Sequence, residues 1–159
     1  MGDPDEQAGE ERALAAVTAY GIAFEVTRHG PAKSLEEAAA ARGLLPGDLL
    51  KSLVVRRGDE DFLFVLVPGD RKFSWPKLRA FLGTNRLSMP DAAVAREVTG
   101  YERGTITPFG SNHAWPVIAD ATVAGRTVSI GGGAHGVGLT LSGDDVLRVL
   151  EARVADISD

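Results

Sequence analysis

The stretch LLKSLVVRRGDEDFLFVLVPGD, residues 49–70, decides the fold of this chain. It contains two apolar runs rich in β-branched and aromatic residues, Leu49 to Arg56 and Phe62 to Val67, and such runs predict strands. The residues between them, 57–61, are charged and include a glycine, which is typical of a hairpin turn. Pro68-Gly-Asp70 then ends the second strand. The stretch therefore predicts a β-hairpin at the centre of the chain.

Helical and strand-like segments alternate irregularly on both sides of this hairpin. The spacing of apolar residues, the serine caps and the glycine stops predict helices over 10–20, 35–43, 74–82, 90–98 and 142–152, and strands over 22–27, 117–121, 126–130 and 137–141. Because at least one connection is a hairpin, we predict an α/β (α+β) fold with one mixed sheet flanked by helices, not a doubly wound parallel sheet. Residues 1–9 are predicted to be a flexible leader, and residues 10–159 a single domain.

Composition excludes several classes of protein. The chain has 159 residues, a net charge of −5 and no cysteine, which rules out disulfides, a thiolate nucleophile and a cysteine zinc site. It has no apolar run of about 18 residues, and the acidic start is unlike a signal peptide, so we predict a cytoplasmic protein without a membrane span. The negative charge disfavours long duplex DNA as a partner.

Charge is unevenly distributed along the chain. Residues 51–103 contain 10 basic and 7 acidic groups, a local balance of +3. Two interpretations stay open: a small positive surface for a short anionic ligand, or an ordinary solvated surface of mixed charge.

Three features are candidates for chemistry. Lys51 opens an apolar strand, so its ammonium either reaches solvent or enters a pocket, where it would bind a phosphate or a carbonyl. The loop 100–110, GYERGTITPFG, has three glycines and Pro108, so its backbone either approaches a ligand closely or forms an ordinary surface turn. The run 130–138, IGGGAHGVG, forms either a backbone-lined site or a flexible hairpin.

Other common catalytic arrangements are missing from the sequence. His29, His113 and His135 lie far apart and have no acidic neighbours at metal-ligand spacing, so no metal site is predicted. No serine lies in a Gly-x-Ser-x-Gly motif, and the acidic residues form no recognisable acid–base pair.

The order of the three features along the chain carries more information than any one of them. The segments Lys51-Ser-Leu-Val54, Val67-Pro-Gly-Asp70, 100–110, Val117-Ile-Ala-Asp120 and Gly131-Gly-Gly133 occur in the order found in the YbaK family. The chain resembles this family, the free-standing relatives of the editing domain in bacterial prolyl-tRNA synthetase, from about Glu10 to Leu150.

The resemblance implies a function as well as a compact, partly barrel-like sheet. Family members hydrolyse the ester that links a wrong amino acid to transfer RNA, often tRNA for proline, without metal or organic cofactor. It implies the tRNA acceptor end as partner, a synthetase as a second one, and neither membrane nor DNA. It implies that Lys51 holds the terminal adenosine or its phosphate and that Gly104 to Pro108 lies beside the ester carbonyl. The implied catalytic residues are Lys51, Gly104 and Pro108, and the implied substrate contacts are Ser52, Thr105, Ile106, Thr107, Gly132, Gly133 and His135.

The chain departs from the family at one place. Members that act on cysteinyl-tRNA tend to have a basic residue, glycine, an apolar residue and an acid after the glycine turn. Here the segment 134–138 reads AHGVG and has no acid there. The amino acid removed therefore stays open among alanine, cysteine, serine and threonine. A non-catalytic module that binds a tRNA end or a synthetase is the alternative, and a hydrolase of another aminoacyl ester is a weaker one.

Overall fold

The computed structural model describes residues 4–159 and confirms the α+β class. The helices are α1 (Pro4–Tyr20), α2 (Leu35–Ala41), α3 (Trp75–Leu82), α4 (Ala92–Thr99) and α5 (Gly143–Val149). The strands are β1 (Phe24–Arg28), β2 (Leu50–Gly58), β3 (Asp61–Pro68), β4 (Val117–Asp120), β5 (Thr127–Gly131), β6 (Val137–Ser142) and β7 (Arg153–Ala155). Within residues 4–159, no helix is long and apolar enough to cross a membrane.

The strands form two sheets that meet near the start of β2. One sheet has the order β1-β6-β5 and is antiparallel; the other has the order β2-β3-β4-β7 and is mixed. The predicted hairpin is β2 and β3, with Leu50 opposite Pro68 and Val54 opposite Phe64. A single bridge between Leu49 and Ser129 joins the two sheets. This junction brings the end of α2, β2 and β5 close together.

Strand β3 is the centre of the hydrophobic core. Phe64 and Leu66 belong to a cluster that packs toward the three-stranded sheet, whereas Leu63 and Val65 belong to a second cluster around Leu78 of α3. Successive side chains of a strand point to opposite faces, so β3 is buried on both. Burial on both faces explains why its sequence is a continuous apolar run instead of an alternating one.

The predicted helix starts at the serines are confirmed. The hydroxyl oxygens of Ser34, Ser74 and Ser142 accept hydrogen bonds from the backbone amides three residues later, at 3.0, 3.3 and 3.3 Å. The end of the last helix is a correction. Helix α5 ends at Val149, not Ala152, because 153–155 leave the helix to pair with β4 as strand β7. Three residues are too few for a strand pattern to be visible in the sequence.

The start of α1 is also a correction. The predicted leader, residues 1–9, is helical from Pro4 onward, and residues 1–3 lie outside the described part of the chain. Gly9 is buried where α1 crosses the glycine turn: a Cβ atom at Gly9 would lie 2.4 Å from the carbonyl oxygen of Gly133. A tertiary contact thus explains why the helix contains a glycine here, although glycine disfavours helix formation.

We expect Gly133→Ala to destabilise the protein more than Gly125→Ala. Both glycines have a positive φ, +87° and +76°, so both substitutions carry the cost of about 1 kcal/mol for a left-handed alanine. A Cβ at Gly133 would also lie 2.4 Å from the Gly9 oxygen, whereas nothing lies within 4 Å at Gly125. The expected loss in the free energy of unfolding is about 2 kcal/mol for Gly133→Ala. Equal urea midpoints for the two variants would contradict the close helix–turn contact.

Candidate active site

A cavity of about 600 Å³ opens at the junction of the two sheets. Its wall combines the start of β2, the end of α2, the start of α4 and the loop that follows α4. Four residues predicted to form the site line this one cavity: Lys51, Ser52, Gly104 and Ile106. Gly131, the first residue of the glycine turn, lines it as well. The fold therefore brings together three segments that lie far apart in the sequence.

Lys51 lies on β2 opposite Val67, and its side chain is exposed. It follows Leu50, which is buried in the core. The alternation along the strand directs Lys51 away from that core, and its side chain is exposed to solvent. The residue also belongs to the cavity lining, so both sequence alternatives hold in part. A solvated ammonium that borders a cavity is free to bind an anion without the cost of burying an unpaired charge.

The cavity is electropositive. Among the residues described, the charged groups that line it are Arg42, Lys51, Arg103 and the carboxylate of Asp91. Asp91 is already used as the N-cap of α4, where its Oδ1 accepts from the amide of Val94 at 2.9 Å. Three cations against one engaged carboxylate favour an anionic ligand.

Ser52 contributes an unsatisfied hydroxyl to the cavity wall. Its Oγ atom is buried and has no hydrogen-bond partner in residues 4–159. Buried polar atoms are nearly always paired in folded proteins, so an orphaned hydroxyl on a cavity wall indicates a group that a ligand satisfies.

Hydrogen bonds hold the loop after α4 in one shape. Gly100 ends α4 with a φ of +81°, and the Tyr101 hydroxyl donates to the carbonyl of Phe109 at 2.6 Å. Burial raises the pKa of Tyr101 to about 12, so the hydroxyl stays protonated and keeps donating. The hydroxyl of Thr105 donates to the carbonyl of Glu102 at 2.8 Å. The loop is therefore rigid, and it presents Gly104 (φ +92°) to the cavity.

The other predicted site residues lie outside the cavity lining. Thr105 and Thr107 are buried, and the hydroxyl of Thr107 accepts from the amide of Phe109 at 3.3 Å, so both threonines shape the loop from inside. Gly132 is buried in the turn, where its amide donates to the carbonyl of Val137 at 2.9 Å. The remaining three, Pro108, Gly133 and His135, are likewise absent from the lining.

His135 packs behind the loop. A Cβ on Gly104 would lie 2.9 Å from its Nε2 atom. Its Nδ1 atom lies 2.5 Å from Glu6 Oε1 and 3.4 Å from Glu102 Oε1, and its backbone amide donates to Glu6 at 2.9 Å. These hydrogen bonds from His135 lower the pKa of Glu6. His135 thus ties the start of α1 to the loop.

Glu6, Glu102 and His135 also offer three ligand atoms within 4.8 Å of one another, of the kinds that bind divalent cations. The sequence did not predict this group because Glu6 and Glu102 lie 96 positions apart and Glu102 and His135 lie 33 positions apart. Only the packing of α1 against the glycine turn brings the two acids to the histidine.

Arg42 and Arg103 are two cations on the cavity lining that were not predicted as site residues. Arg103 lies inside the singled-out loop, next to Gly104. Arg42 follows four alanines at the end of α2, where a basic residue is also a favourable partner for the helix dipole. The sequence therefore did not distinguish an arginine that contacts a ligand from one that only stabilises the end of a helix.

The site combines a cation, a rigid loop and a hollow of substrate size. Lys51 and Gly104 border the same space, and backbone amides in such a loop can stabilise negative charge on an oxygen. Asp91 is the one carboxylate on the lining among the residues described, and it caps a helix. The arrangement suits a ligand that is an anion or a polarised carbonyl and that needs little acid–base help.

Comparisons with known proteins identify proteins that are similar to this chain. A proline–tRNA ligase of Kosmotoga olearia is 33% identical over 146 residues, and the match covers 89% of this chain but only 23%, about a quarter, of the ligase. An Enterococcus faecalis protein, named as a candidate Cys-tRNA(Pro)/Cys-tRNA(Cys) deacylase, is 23% identical over 79% of this chain and 77% of that protein.

A solved structure described as a candidate trans-editing enzyme for prolyl-tRNA synthetase superposes with a TM-score of 0.86. It is 26% identical, and the match covers 100% of this chain and 99% of that one. The model of the family described as the aminoacyl-tRNA editing domain matches residues 29–149. These matches confirm the resemblance to the YbaK-type family, and the chain belongs to the aminoacyl-tRNA editing domain family.

Proposed function

We propose that this chain is a deacylase that acts in trans on mischarged tRNA, with tRNA for proline as its tRNA and the cytoplasm as its compartment. The observation that carries the proposal is that Lys51 and the loop at Gly104 border one cavity of about 600 Å³. The similarity to the solved candidate trans-editing enzyme over nearly the full length of both chains supports it. The similarity to part of a proline–tRNA ligase supports the choice of tRNA.

The reaction needs one water and one leaving group. The ammonium of Lys51 holds the terminal adenosine or its phosphate, and backbone amides near Gly104 stabilise the oxyanion that forms when water attacks the ester carbonyl. Each such donor contributes roughly 10²–10³ in rate, and holding the ester in position contributes further. The neighbouring ribose hydroxyl assists the proton transfer, the carbon–oxygen bond to the ribose breaks, and the products are a free amino acid and uncharged tRNA.

The acyl group is small. Alanine, cysteine, serine and threonine are the candidates, and a pocket separates neighbours in size by only about 1–3 kcal/mol per methylene. Selectivity among them therefore depends on which polar groups of the wall the side chain reaches, and the orphaned hydroxyl of Ser52 is one such group.

A panel of mischarged tRNAs tests the proposal. We expect the purified protein to deacylate at least one of tRNA for proline carrying alanine, cysteine, serine or threonine, measured as release of radiolabelled amino acid. Correctly charged prolyl-tRNA is the control and should stay intact. Failure to accelerate release from every mischarged member of the panel would overturn the deacylase.

The alternative is a non-catalytic module that binds a tRNA end or a synthetase. It is favoured by two observations: the absence of an acid in segment 134–138 and the lack of a free carboxylate among the described residues that line the cavity. Comparing the rate of hydrolysis with the affinity for an amide-linked, non-hydrolysable aminoacyl-tRNA separates the two functions. Binding without turnover on the whole panel is the result expected for the module.

A further inference from the structure

Arg42 is a cation of the cavity that the proposed reaction does not use. It caps the end of α2, and its side chain reaches over β5, where Nη1 donates to the hydroxyl of Ser129 at 2.9 Å. Its Nε atom donates to Nε2 of His29 at 3.1 Å. Because that nitrogen accepts a hydrogen bond, His29 carries its proton on Nδ1, which donates to the carbonyl of Gly30 at 2.8 Å. Both side-chain partners of Arg42 are thus neutral.

No carboxylate neutralises Arg42. Within residues 4–159 it forms no ion pair, and its third nitrogen, Nη2, has no hydrogen-bond partner. The side chain is partly buried, and burial lowers its pKa. An arginine withdrawn from water without an acidic partner is costly, and proteins normally keep such a group when an anion binds it.

Gly138 provides the space that Arg42 occupies. A Cβ atom at this position would lie 2.8 Å from both Cζ and Nε of the guanidinium. Gly138 is not among the glycines with a positive φ, so its backbone conformation does not require glycine. Glycine is required at this position because the guanidinium approaches strand β6 closely.

The sheet surface under Arg42 is polar. Ser129 of β5 lies directly opposite Thr140 of β6, and paired residues of neighbouring strands share a face. Gly138 lies two residues before Thr140 and therefore shares that face as well. The hydroxyl of Thr140 is buried and has no hydrogen-bond partner among the described residues. A second unsatisfied polar group thus lies on this face. Glu25 of β1 lies opposite Thr140 on its other side, so the face also carries a carboxylate at that point.

We propose that Arg42, which lines the cavity and donates to the neighbouring hydroxyl of Ser129, forms an anion-binding subsite that receives an oxyanion of the bound aminoacyl-tRNA end. The inference rests on the proposed function for the identity of the ligand and deepens it. The oxyanion is a phosphodiester group next to the terminal adenosine. It presents paired oxygens to a planar guanidinium, the geometry that arginine binds best.

A matched pair of variants tests the charge without removing Arg42. Gly138→Asp places a carboxylate beside the guanidinium and neutralises it, whereas Gly138→Asn adds a side chain of nearly the same volume without charge. The guanidinium must shift in both variants, and it is the far end of a flexible side chain. Any difference in affinity between the two therefore reports the charge at Arg42 and not the space. Thermal unfolding of both variants verifies that they are folded.

The probes are small and cannot be hydrolysed by an esterase. The dinucleotide CpA is compared with adenosine, which lacks the phosphate, by calorimetry. We expect CpA to bind at least about tenfold more weakly to Gly138→Asp than to Gly138→Asn. Adenosine should not discriminate between the variants.

The outcomes separate this inference from the proposed function. Discrimination by CpA assigns the subsite to a phosphate. If CpA does not discriminate between the variants, the subsite is refuted. Should Gly138→Asp fail to fold, Arg42→Met measured against wild type with the same probes gives the same decision. Because binding is measured without turnover, failure of the deacylation panel leaves this result independent.

Discussion

Replacing Lys51 with alanine is expected to lower kcat/KM for release of the amino acid from mischarged tRNA by about a hundredfold. The proposed role of the ammonium is to hold the adenosine or phosphate next to the ester, and alanine cannot supply that charge. The Lys51 side chain is exposed at the cavity, so its removal should leave the free energy of unfolding nearly unchanged. Single-turnover deacylation combined with urea unfolding measures both quantities on the same variant.

Lys72→Ala is the matched control for this experiment. Lys72 is also exposed, but it is absent from the cavity lining and lies beside the C-terminal segment. The control should keep the wild-type rate, and Lys51→Arg should recover part of the loss because it restores the charge with a different shape. A wild-type rate for Lys51→Ala would refute the role of Lys51 and leave the loop as the main source of catalysis.

Replacing Asp120 with alanine is expected to cost about 3–4 kcal/mol in the free energy of unfolding. Asp120 ends β4, is 1% exposed, and accepts hydrogen bonds from Thr122 and from the amide of Ile157 at 3.1 Å. It also accepts from the hydroxyl of Ser158 at 2.8 Å. Alanine leaves these buried donors unpaired, each at about 1–3 kcal/mol, and it releases the C-terminal segment from the sheet.

The same carboxylate makes stability depend on pH. Burial raises the pKa of Asp120, but the hydrogen bonds from Thr122, Ile157 and Ser158 together outweigh burial and lower it below the ordinary value of 3.8. Because the pKa of Asp120 is lower in the folded protein than in the unfolded chain, its stabilisation is complete at a pH above the pKa of the unfolded chain. The stabilisation is lost as the pH falls through the pKa of the folded protein.

Urea unfolding between about pH 6 and pH 2 tests this for wild type and Asp120→Asn, which keeps the shape without the charge. The difference in stability between them should be constant near neutrality and shrink below about pH 4. Asp59→Asn, on the fully exposed hairpin turn, is the control and should follow wild type. A difference that does not change with pH would show that the charge of Asp120 contributes nothing.

Local rules account for the parts of the fold that could be predicted. The hairpin follows from two β-branched runs around a charged turn, and the serine caps follow from a hydroxyl that reaches an amide three residues later. In both cases the interacting groups are neighbours in the sequence. The family resemblance likewise depended on the order of short motifs, and it identified Lys51 and Gly104, which line the cavity together.

The features that could not be predicted depend on contacts between residues that are far apart in the sequence. Residues 4–9 were predicted to belong to a flexible leader because Gly133, the partner of Gly9, lies 124 positions away in the sequence. Strand β7 was missed because its identity as a strand depends on pairing with β4. His135 lies outside the cavity lining and is hydrogen-bonded to Glu6, which lies 129 positions away in the sequence. No local pattern could predict that contact.

The sequence by itself determined the class of the fold, the central hairpin, the helix starts at the serine caps and the family. The tertiary structure decided which candidate residues share a cavity, that α1 begins at Pro4, and that Arg42 lies against Gly138 without a carboxylate partner. The physical reason is the distance along the sequence over which each kind of interaction acts. Strand propensity, capping and turns act over a few residues, whereas a cavity is formed by surfaces that meet only after the two sheets have packed.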